Sequence, residues 1–289
     1  MSSTLAVGFA LATALANALA LATQHAASVS GDQSHRGWAL FVYLVHHPLW
    51  LLGWVGMGAS LVFQAVALHF GPLSLVQPLL VSELVLALVV RRLWLHQSLR
   101  RTAWISAGVT TVALAAFLVA VNPRVSALQP TLRDWMWPSV AVALLVVFAI
   151  VTARRGSPAR RAGAYAGATA LLWALEATFI KAAADVLAAG GISAVFTSWP
   201  LYALVSCGIV GLLSEQAALH VGPLKISQPI IVIVDPLASI VLGVVLYHER
   251  LVTSSATITL AAGAFVIVAV GVVSMTRSVP DTANALHRR

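Results

Sequence analysis

The chain has few charged residues and a single cysteine. Charged side chains make up 9% of its 289 residues and apolar ones 60%, whereas a soluble domain carries about 25% charged residues. This composition excludes a water-soluble globular protein and indicates that lipid is the solvent. With Cys207 alone, an intramolecular disulfide and a cysteine-ligated metal cluster are excluded. The sequence has no nucleotide-binding motif, so it does not predict a transporter driven directly by ATP.

Acidic residues are also scarce. The chain has nine Asp and Glu residues and seventeen Lys and Arg residues, which gives a net charge of +8. In a soluble chain this imbalance would favour a nucleic-acid partner, but here the basic residues lie between apolar runs. We therefore expect the lipid bilayer as the partner of this chain, and no nucleic acid.

Apolar runs of membrane-spanning length fill the chain. About 20 apolar residues cross the hydrocarbon core, and Gly, Pro and charged residues separate nine such runs. The expected fold class is an all-α polytopic membrane protein, with helices near 4–24, 48–69, 73–93, 102–121, 136–152, 163–188, 198–220, 224–247 and 252–274. The first run is Ala-rich like a signal peptide, but no Lys or Arg precedes it, so we expect it to be retained.

The basic residues are distributed unevenly between the two sides that alternating helices define. One side holds thirteen of them: Arg36, Arg91, Arg92, Arg100, Arg101, Arg154, Arg155, Arg160, Arg161, Lys225, Arg277, Arg288 and Arg289. The other side holds Arg124, Arg133 and Arg250. The positive-inside rule places the first side in the cytoplasm. We expect a plasma (inner) membrane protein with its N-terminus outside and its C-terminus inside.

The chain contains an internal repeat. Residues 67–81 (ALHFGPLSLVQPLLV) return as 218–232 (ALHVGPLKISQPIIV), with nine of fifteen positions identical. Each copy joins two apolar runs through a Gly-Pro turn and carries a Gln-Pro dipeptide. An odd number of helices separates the copies, so the two halves are expected to be inverted in the membrane, as in many secondary transporters. The predicted organisation is a first repeat at 1–135, a connector helix and basic loop at 136–161, a second repeat at 162–276 and a tail at 277–289.

The repeat, together with Val241-Leu-Gly-Val-Val-Leu-Tyr-His-Glu-Arg-Leu251, resembles the EamA-type repeats of the drug/metabolite transporter superfamily. Pro48-Leu-Trp50, the Gly-Pro-Leu turn and the Gln-Pro dipeptide are most similar to a branch close to the NIPA-type magnesium transporters. The resemblance implies a transporter that works by alternating access. The chain departs from the superfamily in having nine helices rather than ten, and its first copy carries Arg91-Arg-Leu-Trp-Leu-His-Gln97 instead of the Glu-Arg-Leu turn.

Acidic side chains at mid-membrane depth are the first candidate site residues. A charge near the bilayer centre costs about 2.5 to 3.5 kcal/mol on insertion scales, so it usually faces a cavity or a partner. Glu83, Glu176 and Asp235 lie near the centres of the third, sixth and eighth runs. The structural alternative is an ion pair, which for Glu176 would involve Lys181. Lys181 is itself open to two interpretations, an i,i+4 pair with Asp185 or a site for an anionic substrate.

Uncharged polar residues form the second group of candidates. Gln77 and Gln228 precede prolines that remove backbone donors, so both glutamines offer hydrogen bonds either to a substrate or to the freed carbonyls. Broken helices are therefore expected in both halves. Asn17, Gln64 and Gln216 are expected to line the same cavity, although such residues often only bind neighbouring helices.

Histidine and tryptophan are interpreted as structural. His25, His35, His46 and His47 cluster at one end of the first two helices, but no carboxylate or cysteine pattern supports a metal site there. His69 is expected to reach the headgroups, and Trp135 to lie in an interfacial belt. No cofactor-binding motif is present, and whether a metal binds stays open.

The function expected from these features is that of a secondary carrier for a small solute, coupled to protons through Glu83, Asp235 or Glu176. The alternative is a NIPA-like Mg²⁺ transporter, in which the same carboxylates attract a hydrated cation. The substrate is thus a small molecule or a cation, and a homodimer is left open. No nucleophile-base pair points to an enzyme.

Cysteine labelling tests the predicted orientation. On a background without Cys207, a cysteine at Ser157 is expected to react from the cytoplasm and one at Ser126 from outside, because the loop charges differ in that direction. Labelling of both cysteines from the same side would contradict the predicted number of helices between the two positions.

Overall fold

A computed structural model describes residues 2–30, 46–94, 100–124, 130–154, 156–222, 224–252 and 254–278. The helices within these residues are α1 (Ser2–Ser30), α2 (Pro48–Phe70), α3 (Leu73–Leu80), α4 (Ser82–Leu93), α5 (Arg101–Val121), α6 (Leu132–Ala153), α7 (Pro158–Thr197), α8 (Trp199–Val221), α9 (Leu224–Tyr247) and α10 (Ser255–Ser278). The predicted tail beyond Ser278, His35 and Ser126 lie outside the described residues.

Nine segments of the described chain are long and apolar enough to cross a membrane, with α3 and α4 counted as one. The predicted all-α membrane fold is confirmed at this level. The boundaries of α9 coincide with the prediction, whereas α7 is much longer than the predicted 163–188. Gly191 interrupts α7 with a φ of 71°, a left-handed conformation that glycine adopts without a steric penalty.

The two copies of the repeat have the same helix boundaries. α2 and α8 are each 23 residues long and begin 151 positions apart, as the two repeat sequences do. Both helices end at a glycine whose backbone is extended. Any residue can adopt that backbone conformation, so glycine is needed there because a side chain would not fit. A Cβ at Gly71 would lie 2.5 Å from the Cβ of Ala6, and one at Gly222 would lie 2.6 Å from the Cβ of Ala162. Each turn therefore lies against the beginning of α1 or of α7.

Helix packing follows a similar order in the two halves. α1 packs along α2 and also contacts α3 and α4, whereas α7 packs along α8 and also contacts α9. Ala6, Ala10 and Ala14 of α1 are completely buried, and small residues at a spacing of four allow membrane helices to approach closely. α5 and α10 pack against each other, and α3 contacts α9. α1 is thus an integral part of the bundle.

The two matched proline-containing segments of the repeat differ in continuity. In the first copy α3 ends and α4 begins at Val81, although Val81 keeps helical φ and ψ of −57° and −26°, and the hydroxyl of Ser82 donates a hydrogen bond to the carbonyl of Leu79 at 2.6 Å. α9 is continuous through Pro229 and Pro236, so the expectation of a broken helix at the matching position was wrong. The residue that matches Ser82 in the second copy is Ile233, which has no hydroxyl.

Aromatic residues join α6, α7, α8 and α9 at one end of the bundle. Trp135 stacks on Phe179 with ring centroids 5.2 Å apart, and its other neighbours are Trp199 at 5.0 Å and Tyr247 at 6.0 Å. Trp135 is buried among these rings, and its place at the depth of the membrane interface stays a prediction. The cluster fixes the end of α9 that carries Tyr247.

Substitution of Gly71 by Ala is expected to lower the unfolding temperature, because the new methyl group would overlap Ala6; overpacking typically costs about 1 to 3 kcal/mol. Adding Ala6→Gly should recover part of the loss. Gly58→Ala is the control, since a Cβ there meets no atom within 4 Å. Thermal unfolding of the purified protein in detergent measures all of these variants. Equal melting of Gly71→Ala and Gly58→Ala would contradict the packing described for this turn.

Candidate functional site

Glu83 lies in the first turn of α4, shortly after Val81. Val81 itself keeps helical φ and ψ of −57° and −26°, and α3 and α4 together form one membrane segment, with Glu83 near its middle. Asn17 of α1 donates a hydrogen bond from Nδ2 to Oε2 of Glu83 at 3.1 Å. The sequence placed both residues at the site, and the structure brings them together.

A second acid approaches Glu83 from the other half of the chain. Glu215 of α8 interacts electrostatically with Glu83, which makes it part of the site although it was not among the predicted residues. Gln216, which was predicted, is exposed, so its assignment to the cavity was wrong. Gln64 is half-buried and matches Glu215 at the offset of 151. That offset is the sequence signal that would have identified Glu215.

Glu176 and Asp235 form a second acidic pair, between α7 and α9. Their carboxylates interact electrostatically, and the hydroxyl of Ser239 donates to Oδ1 of Asp235 at 3.2 Å. Gly208 of α8 leaves room for Glu176, because a Cβ there would lie 2.9 Å from Oε1. Glu176 thus faces acidic and apolar neighbours, and the alternative in which it pairs with Lys181 was wrong.

The four acids are half-buried by accessible surface although protein atoms surround each carboxylate on most sides. A membrane protein tolerates a charge at mid-depth where other parts of the protein surround it.

Gln77 and Gln228 occupy different environments. Gln77 in α3 is 3% exposed, and its Nε2 has no hydrogen-bond partner among the described residues. This amide nitrogen therefore does not staple the kink at Pro78, and a buried donor without a partner is costly. Gln228 is half-buried. The hydroxyl of the neighbouring Ser227 is fully buried and likewise has no partner in the described part of the chain.

Lys181 has a structural position instead of a place among the acids. Its Nζ donates to the carbonyl oxygen of Gly71 at 3.0 Å and to that of Leu68. Oδ1 of Asp185 accepts a hydrogen bond from Nδ1 of His69 at 2.7 Å. Lys181 and Asp185 interact electrostatically, but the hydrogen bonds of both side chains are made with the end of α2 and not with each other. His69 keeps 34% of its side chain exposed, and its contact with headgroups stays a prediction.

Glu249 completes a clamp around the Gly71–Pro72 turn. Its Oε1 accepts from the backbone N–H of Leu73 at 2.6 Å, and its Oε2 accepts from the N–H of Ser74 at 3.0 Å and from the Ser74 hydroxyl. Burial raises the pKa of the Glu249 carboxyl above its usual range, while the hydrogen bonds from Ser74 and Leu73 and the charge of Lys181 oppose the shift. We call Lys181, Asp185, His69 and Glu249 the turn clamp.

The turn clamp depends on how α9 ends. His248 has a positive φ of 51°, which turns the chain back so that Glu249 is buried, with 4% of its surface exposed. A Cβ at Gly243 would overlap the Glu249 carboxylate, so glycine is required there. Arg250 pairs with Arg124 through two backbone hydrogen bonds. The sequence motif around Glu249 was recognised, but its target at α3 was not.

No group of three or more His, Cys, Asp or Glu side chains is arranged to hold a metal ion within the described residues. Of the four clustered histidines, His25, His46 and His47 belong to that part of the chain and His35 does not. The candidate site is therefore described by its two sets of neighbouring acids, Glu83 with Glu215 and Glu176 with Asp235, and by the amide of Asn17 that binds Glu83.

The fold and site define a multi-pass helical membrane protein with interior acids. Over 255 residues the chain is 31% identical to an uncharacterized protein of Corynebacterium glutamicum, and the match covers 86% of each chain. The chain belongs to the same family as that protein. No protein-family model matches the sequence. No solved structure matches it either.

The clamp predicts the effect of removing Glu249. Glu249→Ala leaves two buried N–H groups without acceptors, which is expected to destabilise the protein by roughly 2 to 5 kcal/mol. Glu249→Gln keeps one acceptor oxygen, so its unfolding temperature should lie between those of the wild type and Glu249→Ala. Thermal unfolding in detergent is the measurement, and Arg250→Ala, whose side chain is exposed, is the control. A Glu249→Ala protein that melts like Arg250→Ala would show that the clamp does not stabilise the fold.

Proposed function

We propose that this protein is a secondary transporter of the drug/metabolite type, which moves a small solute across the plasma membrane by alternating access and couples the movement to protons. The observation that carries the proposal is the enclosure of Glu83, Glu215, Glu176 and Asp235 as two electrostatically interacting pairs inside an apolar bundle.

Two neighbouring carboxylates in a low-dielectric interior need a counter-charge, since like charges destabilise each other there. A proton or a cation on each pair supplies it. Binding and release of that charge then change the electrostatic energy of the bundle. This is the property that an ion-coupled carrier requires, and it gives the pairs Glu83–Glu215 and Glu176–Asp235 a common role.

The turn clamp supports alternating access. It closes the end of the bundle where Lys181 and Glu249 bind the Gly71–Pro72 turn. At the matching turn after α8, Lys225 replaces Ser74 and is exposed. A difference of this kind between matched turns is expected when one end of an inverted pair is closed. The equal lengths of α2 and α8 also support the inversion.

The polar side chains suggest the chemistry of the solute. Gln77 offers a buried amide donor with no partner in the described residues, so the solute should carry a hydrogen-bond acceptor. Lys181, the basic residue predicted inside a helix, binds backbone carbonyls and is therefore not free to pair with an anionic solute. A neutral or cationic solute with an acceptor group fits best.

The Mg²⁺ alternative rests on the same acidic pairs. Mg²⁺ gives up its water reluctantly and usually keeps several water ligands. Two carboxylates on α7 and α9 are therefore enough to attract the hydrated ion without forming a complete protein cage. In this alternative the cation itself is the transported substrate, whereas in the first version protons drive the transport of another solute.

Transport in proteoliposomes tests both versions. A panel of solutes, with Mg²⁺ among them, is measured with and without a pH gradient. For the transported solute, Glu83→Gln and Asp235→Asn are expected to reduce gradient-driven uptake by about 5- to 150-fold, the usual range of coupling energies, while solute exchange survives. In a Mg²⁺ carrier, the same changes should weaken binding of the ion itself.

Asp134→Asn is the matched control, because this acid caps α6 at Thr131 in an exposed position and lies outside the pairs. Its uptake should equal that of the wild type. Uptake unaffected by either interior substitution would show that Glu83 and Asp235 are structural acids, and the proposal would then fail.

A further inference from the structure

A cavity of about 570 Å³ opens between the beginning of α5 and the end of α10, away from the paired acids. Arg100 and Arg277 line it from the two helices, and Thr102 and Ser274 add hydroxyl groups. No acidic residue belongs to the lining. The two helices are held together beside the cavity by a hydrogen bond from Ser106 to Ser274 at 2.7 Å.

The cavity is polar where Arg277 lies and apolar from Val273 to Val270. Arg277, Val273 and Val270 follow one another at intervals of about one helical turn, so they lie on one face of α10. Val270 is 63% exposed. From Arg277 to Val270 the distance along the helix is about 10 Å at 1.5 Å per residue. A charged head and an apolar chain of that length are the two parts of a phospholipid.

The positive-inside rule alone accounts for arginines in loops. It does not explain why Arg100 and Arg277, which are far apart in the sequence, line one cavity with apolar walls. Two guanidinium groups bind a phosphate through charge-assisted, often bidentate hydrogen bonds. The first turn of α5 adds N–H groups that favour an anion. Basic pockets between membrane helices bind anionic lipid headgroups for these reasons.

We propose that the groove between α5 and α10 binds one anionic phospholipid, with its phosphodiester on Arg100 and Arg277 and an acyl chain along Val273 and Val270. This inference does not depend on the transported solute. It commits to a lipid and not to a free anion, because the apolar walls continue toward the membrane interior.

Trp104 provides a reporter, since it lies one turn after Arg100 on α5 and is 39% exposed. The full-length protein is reconstituted in phosphatidylcholine with rising fractions of phosphatidylglycerol, and one lipid at a time carries bromine on its acyl chain. Brominated phosphatidylglycerol is expected to quench Trp104 at a lower mole fraction than brominated phosphatidylcholine. Trp104→Phe should remove this difference, which assigns it to the groove.

Arg100→Gln and Arg277→Gln should each weaken the preference for phosphatidylglycerol by about five-fold, the effect of one basic residue at a lipid surface. Arg92→Gln is the control, because Arg92 is also an exposed arginine but does not line the cavity. The variants replace side chains at helix ends, and circular dichroism verifies that they remain folded. If Arg92→Gln weakens the preference equally, general surface charge explains it and the groove proposal is overturned.

Inorganic phosphate separates a lipid from a soluble anion. Millimolar phosphate is expected to leave the quenching unchanged, because it has no acyl chain to occupy the apolar part of the groove. Displacement of phosphatidylglycerol by phosphate would instead identify a soluble-anion site. Preference for phosphatidylglycerol that persists in both Arg100→Gln and Arg277→Gln would also contradict the proposal.

Discussion

Backbone polar groups that leave a helix inside an apolar bundle must be satisfied by other parts of the protein, since lipid offers no hydrogen bonds. The Gly71–Pro72 turn shows how this constraint shapes the molecule. It ends α2 and begins α3, so carbonyls and N–H groups are exposed on either side of it. Lys181 binds the carbonyls and Glu249 binds the N–H groups. Three distant parts of the chain are therefore tied together by one turn.

The same constraint separates structural charges from functional ones. Lys181 and Glu249 are buried charges whose hydrogen bonds are made with backbone groups, and their roles are explained by the turn. Glu83, Glu215, Glu176 and Asp235 are different, because the charged groups that interact with Glu83 and Glu176 are the acids Glu215 and Asp235. Buried like charges raise the energy of the fold unless a proton or a cation accompanies them. A cost of this kind is expected at a functional site.

The sequence predicts the helices well because membrane-spanning runs are long and apolar. The range 224–247 was predicted as found. Contacts between distant segments were harder to predict. The i,i+4 spacing suggested that Lys181 pairs with Asp185, but the carbonyls of Leu68 and Gly71 have no sequence signature. The choice of Gln216 over Glu215 was an error of one residue, which on a helix changes the direction by about 100°.

Local chemistry explains a further difference between the two halves. Pro78 and Pro229 are matched, yet α3 ends soon after Pro78 whereas α9 continues through Pro229. Ser82 binds the carbonyl of Leu79 in the first copy, and Ile233 at the matching position has no hydroxyl. Repeat symmetry therefore predicts the positions of helices and turns, but not differences that arise from unmatched side chains.

The central claim is that the paired interior acids exchange a proton or a cation during transport of a solute. Simultaneous recording of solute and proton movement in weakly buffered proteoliposomes tests it most directly. The account predicts a fixed number of protons moved for each solute molecule, with Mg²⁺ movement replacing both if the cation is the cargo. Solute movement at an undiminished rate with no accompanying proton or cation flux would contradict it.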